Sequence, residues 1–514
     1  LTADLKSENN VSVASSPLFR GLAPAAAPSP ERTALLAGDD RWTFGDLARA
    51  SGSLTRLLAG RRIGRGDRVA VMTANRPEFL AAVLGVGALG AVPVLLNPSW
   101  KTLEVASACD LADPRVGIAD GAGVELLGEC LGPDRVLDLD GDGAVADRTG
   151  RPASPGPAFS DDDDAVLVFS SGTTDRPKAV RHTRRSLGVA TGHWCAALGL
   201  GPDDRFQVAT PPSHILGLLN LLAALRVGAT VRLHRRFDLD EELARIQSER
   251  MTLEMAVAPI ALALAGHPDL ERYDLSSLRY VMWGATPVTP SVAEAVTART
   301  GVRWLPAYGT SEVPVLAANP VSDPAAWRLD SAGLPVGDVA LRVADLDTGA
   351  VLGPGATGEI QARSASAMAG YLPPDATADA FCDGWYRTGD VGWLEPEGWV
   401  HLTDRCKEML KVRGFQVAPA EIEAVLLGHP DVADCAVFGV PDLGAGEVPV
   451  AAVQAAPGAR PDPAALQRRV ADALAGYKRL AAVVVVDQIP RTPSGKVLRR
   501  TLRDAWTPAP AGAG

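Results

Sequence analysis

Residues 41–96 change the spacing of their apolar positions in a regular order. A 3.6-residue period over 43–58 predicts a helix, and the near-continuous apolar run at 67–73 predicts a buried strand. The pattern returns to helix over 77–89 and to strand over 92–96. Further apolar strand-like runs follow at 165–169, 206–210, 229–233, 253–257 and 279–283. Strands that alternate with helices and are apolar on both faces predict parallel sheets covered by helices, an α/β fold. Residues 1–30 are small, polar and rich in Pro and Ala, which predicts an irregular lead-in.

After about residue 333 the texture changes to short strands at 341–343, 358–362 and 398–402, separated by Gly/Pro turns, as in a β-rich subdomain. A charged, Gly-ended connector follows at 404–414. Beyond it, helix 419–427, strands 433–440 and 448–454, helix 463–475 and strand 482–487 make a small α+β unit. The expected organisation is a large unit over 1–403, with its β-rich part at about 333–403, and a mobile C-terminal unit over 404–514 hinged at Asp404.

Composition narrows the function classes. The 514 residues carry 61 acidic and 50 basic side chains, a net charge of −11, which argues against broad nucleic-acid binding. The six cysteines show no CxxC spacing and read as buried or free thiols of a reducing compartment. No apolar run reads as a transmembrane span, since 79–96 is broken by three glycines and a proline. With no secretory leader pattern either, the expected location is the cytoplasm.

Chemistry is concentrated in five ordered motifs. The first is FSSGTTDRPKAV at 169–180, where a strand empties into a loop offering Ser170, Ser171, Gly172, Thr173, Thr174 and Lys178. Backbone N–H groups, four hydroxyls and one ammonium suit a polyphosphate. The others are YGTSE at 308–312, YRTGD at 386–390, DRCKEMLKVRG at 404–414 and PRTPSGK at 490–496. Three tempting patterns mislead. Gly85-Val86-Gly87-Ala88-Leu89-Gly90 fits GxGxxG, but it ends a helical run and precedes a strand, so it reads as helix packing and termination. Gly172 to Lys178 is not a Walker loop, because Pro177 precedes the lysine and Ala179 follows it. Asp161 to Asp164 reads as a solvated loop before a strand rather than a metal site.

In this order the five motifs resemble the adenylate-forming superfamily of acyl-CoA synthetases, luciferases and peptide-synthetase adenylation domains, most closely the 4-coumarate–CoA ligase-like synthetases. The resemblance implies two half-reactions, with ATP and CoA as co-substrates and Mg²⁺ as cofactor. It implies that the 170–174 loop and Lys178 wrap the β- and γ-phosphates, that Ser311 contacts the α-phosphate and that Glu312 carries Mg²⁺. Tyr308 would stack on adenine with Gly284 and Ala285 opposite, backed by Gly309, while Asp390 and Arg405 would hold the ribose. Lys496 would drive adenylation. Asp404 would be the hinge that withdraws Lys496 and presents Lys411, Arg413 and Gly414 for thioester formation. Lys478 could touch the CoA phosphates, or it could be a solvated helix end. Asp175 and Ala179 depart from the glycines usual in the phosphate loop, and 313–316 is about one residue shorter than the family pattern.

The resemblance also implies an acyl pocket lined by His214, Leu216, Gly217, Leu218, Trp283, Gly284, Ala307, Gly309, Pro314 and Val315. His214 would lie beside the acyl carboxylate, unless it is a packed core histidine. No Lys or Arg is among these residues, so a hydrophobic monocarboxylic acid is expected, with Trp283 shortening the pocket or offering a flat face to a ring. Two other readings stand beside acyl-CoA ligation: loading of an acyl group onto a carrier-protein pantetheine, and a nucleotide-binding pseudoenzyme.

Overall fold

In the computed structural model the described residues are 28–141, 147–152, 159–169, 178–284, 288–406, 408–413, 415–442, 445–492 and 496–506. Among them the strands form sheets of nine, seven, six and five strands. The seven-stranded sheet is parallel through Val92–Leu95, Arg68–Met72, Val116–Ala119 and Val136–Asp138. Its other side turns antiparallel at Ala179–Thr183 and Gly370–Leu372. The nine-stranded sheet is parallel from Thr33–Ala37 through to Trp304–Tyr308.

Helices Phe44–Gly60, Pro77–Ala88, Arg184–Leu198 and Ile215–Val227 contribute to a large apolar cluster that joins these two sheets. Strand alternation fixes which side chains enter it. Val69 and Val71 face this shared core, whereas Ala70 and Met72 face the outer cluster under Thr102–Ala112 and Ala122–Leu131. A strand buried on both faces gives the unbroken apolar run read from sequence. The first helix starts where its cap dictates: the Thr43 hydroxyl accepts from Asp46 N–H at 3.0 Å, and the Asp46 carboxylate accepts from Thr43 N–H at 2.8 Å.

The glycines of the GxGxxG pattern lie at the end of a helix and before a strand. Gly85 lies within a helix, and a Cβ there would sit 2.9 Å from the Ser51 carbonyl of the neighbouring helix, so the glycine permits close helix packing. Gly90 ends the helical run at φ +72°. Asp161 and Asp162 pair with Arg185, Asp163 with Arg65 and Asp164 with Arg181, and no metal-binding group of side chains occurs among the described residues.

The β-rich part is an antiparallel sheet built on Ala340–Ala344, Gly358–Arg363, Trp385–Leu394 and Val400–Arg405. YRTGD therefore lies inside a ten-residue strand. Asp404, the expected hinge, falls within the strand Val400–Arg405, paired with Val391. The C-terminal unit follows, with helices Pro419–Leu427 and Pro463–Ala473 packed on a sheet centred on Val432–Asp442 and Gly446–Ala455. No helix of the described residues is long and apolar enough to cross a membrane.

Candidate active site

Side chains from three strands meet around two buried carboxylates. Tyr308 closes the strand Trp304–Tyr308, and its hydroxyl donates to Asp390 Oδ2 at 2.6 Å. Asp390 and Arg405 are register partners on adjacent strands, and Arg405 Nε lies 2.9 Å from Asp390 Oδ1. Burial raises the Asp390 pKa, and Arg405 and the phenol oppose that shift. Burial beside this carboxylate also holds the Tyr308 hydroxyl well above its ordinary pKa, so it stays a donor. The result is a carboxylate already oriented by a phenol and a guanidinium.

The YGTSE turn supplies the second carboxylate. Thr310 and Val313 close it with paired hydrogen bonds, Val313 N–H to Thr310 Oγ1 at 3.0 Å and Thr310 N–H to the Val313 carbonyl at 3.1 Å. Gly309 is required for this path, because a Cβ there would fall 2.0 Å from the Pro314 carbonyl oxygen. The buried His182 ring sits 2.8 Å from the Ser311 carbonyl, and burial keeps that ring neutral, so its Nε2–H donates. Glu312 is buried and accepts from the Tyr371 hydroxyl at 2.6 Å; the Tyr386 hydroxyl also hydrogen-bonds to it. The Lys178 ammonium lies over the Tyr371 ring, 4.0 Å from its centroid. Tyr371 thus joins the end of the phosphate loop to the acidic turn. Ala179, the departure from the family glycine, is a fully buried strand residue paired on both sides.

Lys496 reaches this group from the C-terminal unit. Burial and the neighbouring Arg405 lower its pKa to about 8, while Asp390 and Glu312 act the other way. His214 caps helix Ile215–Val227, with Nδ1 accepting from Leu216 N–H at 3.3 Å. Burial and the positive Lys496 push its pKa down to about 4, so the ring is neutral and carries its proton on Nε2. Lys496, Arg405, Asp390, Glu312 and His214, five residues spread over 283 positions of the chain, therefore share one electrostatic environment.

The other expected residues divide. Lys411 and Arg413 are exposed in the C-terminal unit, where Lys411 N–H donates to Glu447. Lys478 pairs with Glu421. The Asp404 carboxylate accepts from Ala420 N–H at 3.0 Å, at the first turn of helix Pro419–Leu427. Ser170, Ser171, Gly172, Thr173, Thr174, Ala285 and Gly414 lie outside the described residues.

On the acyl side one expectation is corrected. Trp283 is 1% exposed and packs on Trp304 at 5.1 Å, in the outer core under the helices of the nine-stranded sheet. Strand alternation turns it away from the shared core and turns Met282 towards it. A Cβ on Gly284 would come 3.2 Å from Met282 Sδ. Leu218 and Val315 are fully buried core residues, and Gly217 lies against the Pro211 carbonyl, where a Cβ would come within 2.6 Å. His214, Leu216, Ala307, Gly309 and Pro314 keep accessible surface. Sequence reasoning missed Tyr371, Tyr386, His182 and Met282. Tyr386 stood inside a recognised motif, and Met282 could have been found from strand parity; Tyr371 and His182 carried no local signal.

Comparisons with known proteins give the family. The family model for AMP-binding enzymes matches residues 22–372, and the one for the AMP-binding enzyme C-terminal domain matches 421–496. The chain belongs to the AMP-binding, adenylate-forming enzyme family. It is 35% identical to 4-coumarate–CoA ligase 3 of Oryza sativa subsp. japonica, over 90% of this chain and 87% of that protein. ATP-bound MatB from Rhodopseudomonas palustris superposes with a TM-score of 0.88 at 27% identity, covering 95% of this chain and 98% of the other. The amide bond synthetase McbA from Marinactinospora thermotolerans gives 0.86 at 32% identity, covering 96% and 100%.

Proposed function

We propose that this enzyme is an ATP-dependent acyl-CoA ligase for a hydrophobic monocarboxylic acid. A carboxylate oxygen attacks the α-phosphorus of ATP and pyrophosphate leaves, giving an acyl-adenylate. The thiol of CoA then attacks the acyl carbon, AMP leaves with the C–O electron pair, and the thiol proton is released. The observation that carries the reading is the convergence of the Lys496 ammonium with Glu312, Asp390, Arg405 and His214.

The first step brings an anion to a polyanion, so fixed positive charge must act where charge develops. Lys496 serves the entering carboxylate and the α-phosphate, Lys178 and the 170–174 loop the β- and γ-phosphates, and Ser311 the α-phosphate. Asp390, already aimed by Tyr308 and Arg405, accepts from the ribose hydroxyls. The neutral His214 can donate from Nε2 to the acyl oxygen without adding charge. Glu312, a single buried carboxylate on phenol donors, fits an ion that takes its other ligands from phosphates and water, as Mg²⁺ does. When bound, that ion would neutralise phosphate charge.

Domain alternation about Asp404, with Lys411, Arg413 and Gly414 replacing Lys496, completes the scheme. Leu216, Ala307 and Pro314, with no cationic side chain among the expected pocket residues, support an apolar acid with one carboxylate. The likeness to McbA supports a second reading, in which an amine takes the acyl group from the adenylate.

The test is pyrophosphate release with ATP, Mg²⁺ and a panel of aryl, alicyclic and straight-chain acids, with products identified by mass. Either CoA or an amine is supplied as acceptor, and Lys496→Ala is the control. A CoA thioester that disappears in the variant establishes the ligase. Adenylate that is passed only to the amine, or to neither acceptor, favours amide synthesis or a carrier protein respectively. ATP binding without adenylate from any acid returns the pseudoenzyme reading.

A further inference from the structure

Lys496 sits on a stem whose two sides are tied together. Leu498 N–H donates to the Pro490 carbonyl at 2.8 Å, Arg491 bridges Val497, and Thr492 N–H donates to the Lys496 carbonyl at 2.8 Å. Lys496 N–H returns a bond to Thr492 Oγ1 at 3.1 Å. Each side of the stem is anchored by an arginine. Before the stem tip, Arg491 grips Asp434 in a bidentate pair, Nη2 donating to Oδ1 at 2.8 Å and Nε to Oδ2 at 3.1 Å. After it, Arg499 makes three contacts: Nε with the Val437 carbonyl at 2.9 Å, Nη2 with Glu423 Oε1 at 2.8 Å, and Nη1 with Glu408.

All three contacts lie within the C-terminal unit of 404–514, and the third reaches the turn at its start. Glu408 belongs to the turn that begins at Arg405, since Glu408 N–H and Met409 N–H both donate to the Arg405 carbonyl, at 2.9 and 3.0 Å. Arg405 is the residue paired with Asp390. Arg499 therefore connects the stem that carries Lys496 with the turn that carries the ribose side of the site. Its side chain is 17% exposed and pairs with both Glu408 and Glu423, with the Asp404 charge also near it and Arg491 acting on Glu423 as well. Its loss would remove the link between the turn and the stem and leave the Glu408 carboxylate without this partner.

We propose that Arg499 is a positioning residue for adenylation: it registers the Lys496 stem against the Arg405–Glu408 turn. The inference rests on the ligase reading and names a residue that reading does not use. Lys496 acts only while the stem and the turn are in contact, so the first half-reaction depends on Arg499 and the second does not.

The test compares wild type with Arg499→Met and Arg499→Lys in two assays. Acid-dependent ATP–pyrophosphate exchange should fall about 10²-fold in Arg499→Met, the scale of a reacting group displaced by about an ångström. Thioester formation from supplied acyl-adenylate and CoA should change by less than about threefold, because an interaction not made in that transition state is not lost there. Arg499→Lys should recover part of the exchange, since it restores the charge but not the fork. Equal losses in both assays, or no loss in either, would overturn the proposal.

Hydrogen exchange gives a readout independent of catalysis. In Arg499→Met, the amides of Glu408, Met409, Thr492, Lys496 and Leu498 should lose protection while the strand Val432–Asp442 keeps it; unchanged protection at those five amides rejects the proposal whatever the activity. If Arg499→Met does not fold, Glu408→Gln keeps the Glu423 anchor and should show the same asymmetry at smaller size. A symmetric result for Glu408→Gln also rejects the proposal. Wild-type protein that forms no adenylate with any acid would refute the ligase reading, while the exchange result would still decide the role of Arg499.

Discussion

The nucleotide side and the acyl side of this site are built in different ways. On the nucleotide side, side chains from distant segments are fixed by short polar contacts: Tyr308 and Arg405 on Asp390, Tyr371 and Tyr386 on Glu312. On the acyl side, residues expected to line a pocket are core residues packed against neighbours, as Trp283, Leu218 and Val315 are. The first half is specified by hydrogen-bond direction and charge, so few substitutions preserve it. The second is specified by volume, which many apolar combinations satisfy. A family can therefore keep one nucleotide chemistry while its acids vary.

The strongest way to break the comparison is at the polar side. Lys496→Ala should lower acid-dependent pyrophosphate exchange by about 10²–10³-fold, the scale of losing one fixed charge-stabilising group, with ATP binding measured by calorimetry little changed. Asp390→Ala removes two charge-assisted acceptors and should raise the ATP KM by roughly 10²-fold, read from initial rates against ATP.

The pH profile sharpens the same point. The acting form of Lys496 is the ammonium, and its pKa is lowered to about 8, so kcat/KM for adenylation should fall as pH rises through about 8, by about tenfold per unit beyond it. Bound polyphosphate favours the charged form, so the corresponding limb of kcat should lie at higher pH. An unchanged profile between pH 7 and 9 would show that Lys496 does not limit the step.

Two smaller effects separate positioning from packing. Tyr371→Phe keeps the ring beneath Lys178 but removes the donor to Glu312, and should weaken half-saturation by Mg²⁺ about tenfold, checked by Mn²⁺ binding in electron paramagnetic resonance. Trp283→Ala should cost about 3–5 kcal/mol of stability as a core truncation, seen in denaturant melts, while the ranking of acids in the panel stays the same. A changed acid preference in that variant would return Trp283 to the pocket.

Much of this was legible in the chain. Helix Pro419–Leu427 was read to its ends, and in the structure Pro419 starts it and Gly428 caps it. The helix Phe44–Gly60 was read over 43–58 from its apolar period. The five motifs supplied the family, and through it Glu312, Asp390, Arg405 and Lys496. Tyr371 was not legible: it stands in a three-residue strand whose pairing with Ala179–Thr183 spans nearly two hundred residues of intervening chain. Trp283 was misplaced because a resemblance assigns positions to a pocket without assigning faces to a strand.

Local chemistry and short periods were what the sequence determined: elements, caps, turn glycines and the residue types needed to neutralise a polyphosphate. Each of these depends on neighbours a few residues away. Tertiary structure decided which face of a strand a side chain occupies, which phenol holds which carboxylate, and how the stem that ends in Lys496 is registered against the turn after Arg405. Those are matters of distance and direction between segments far apart in the chain, and only packing fixes them.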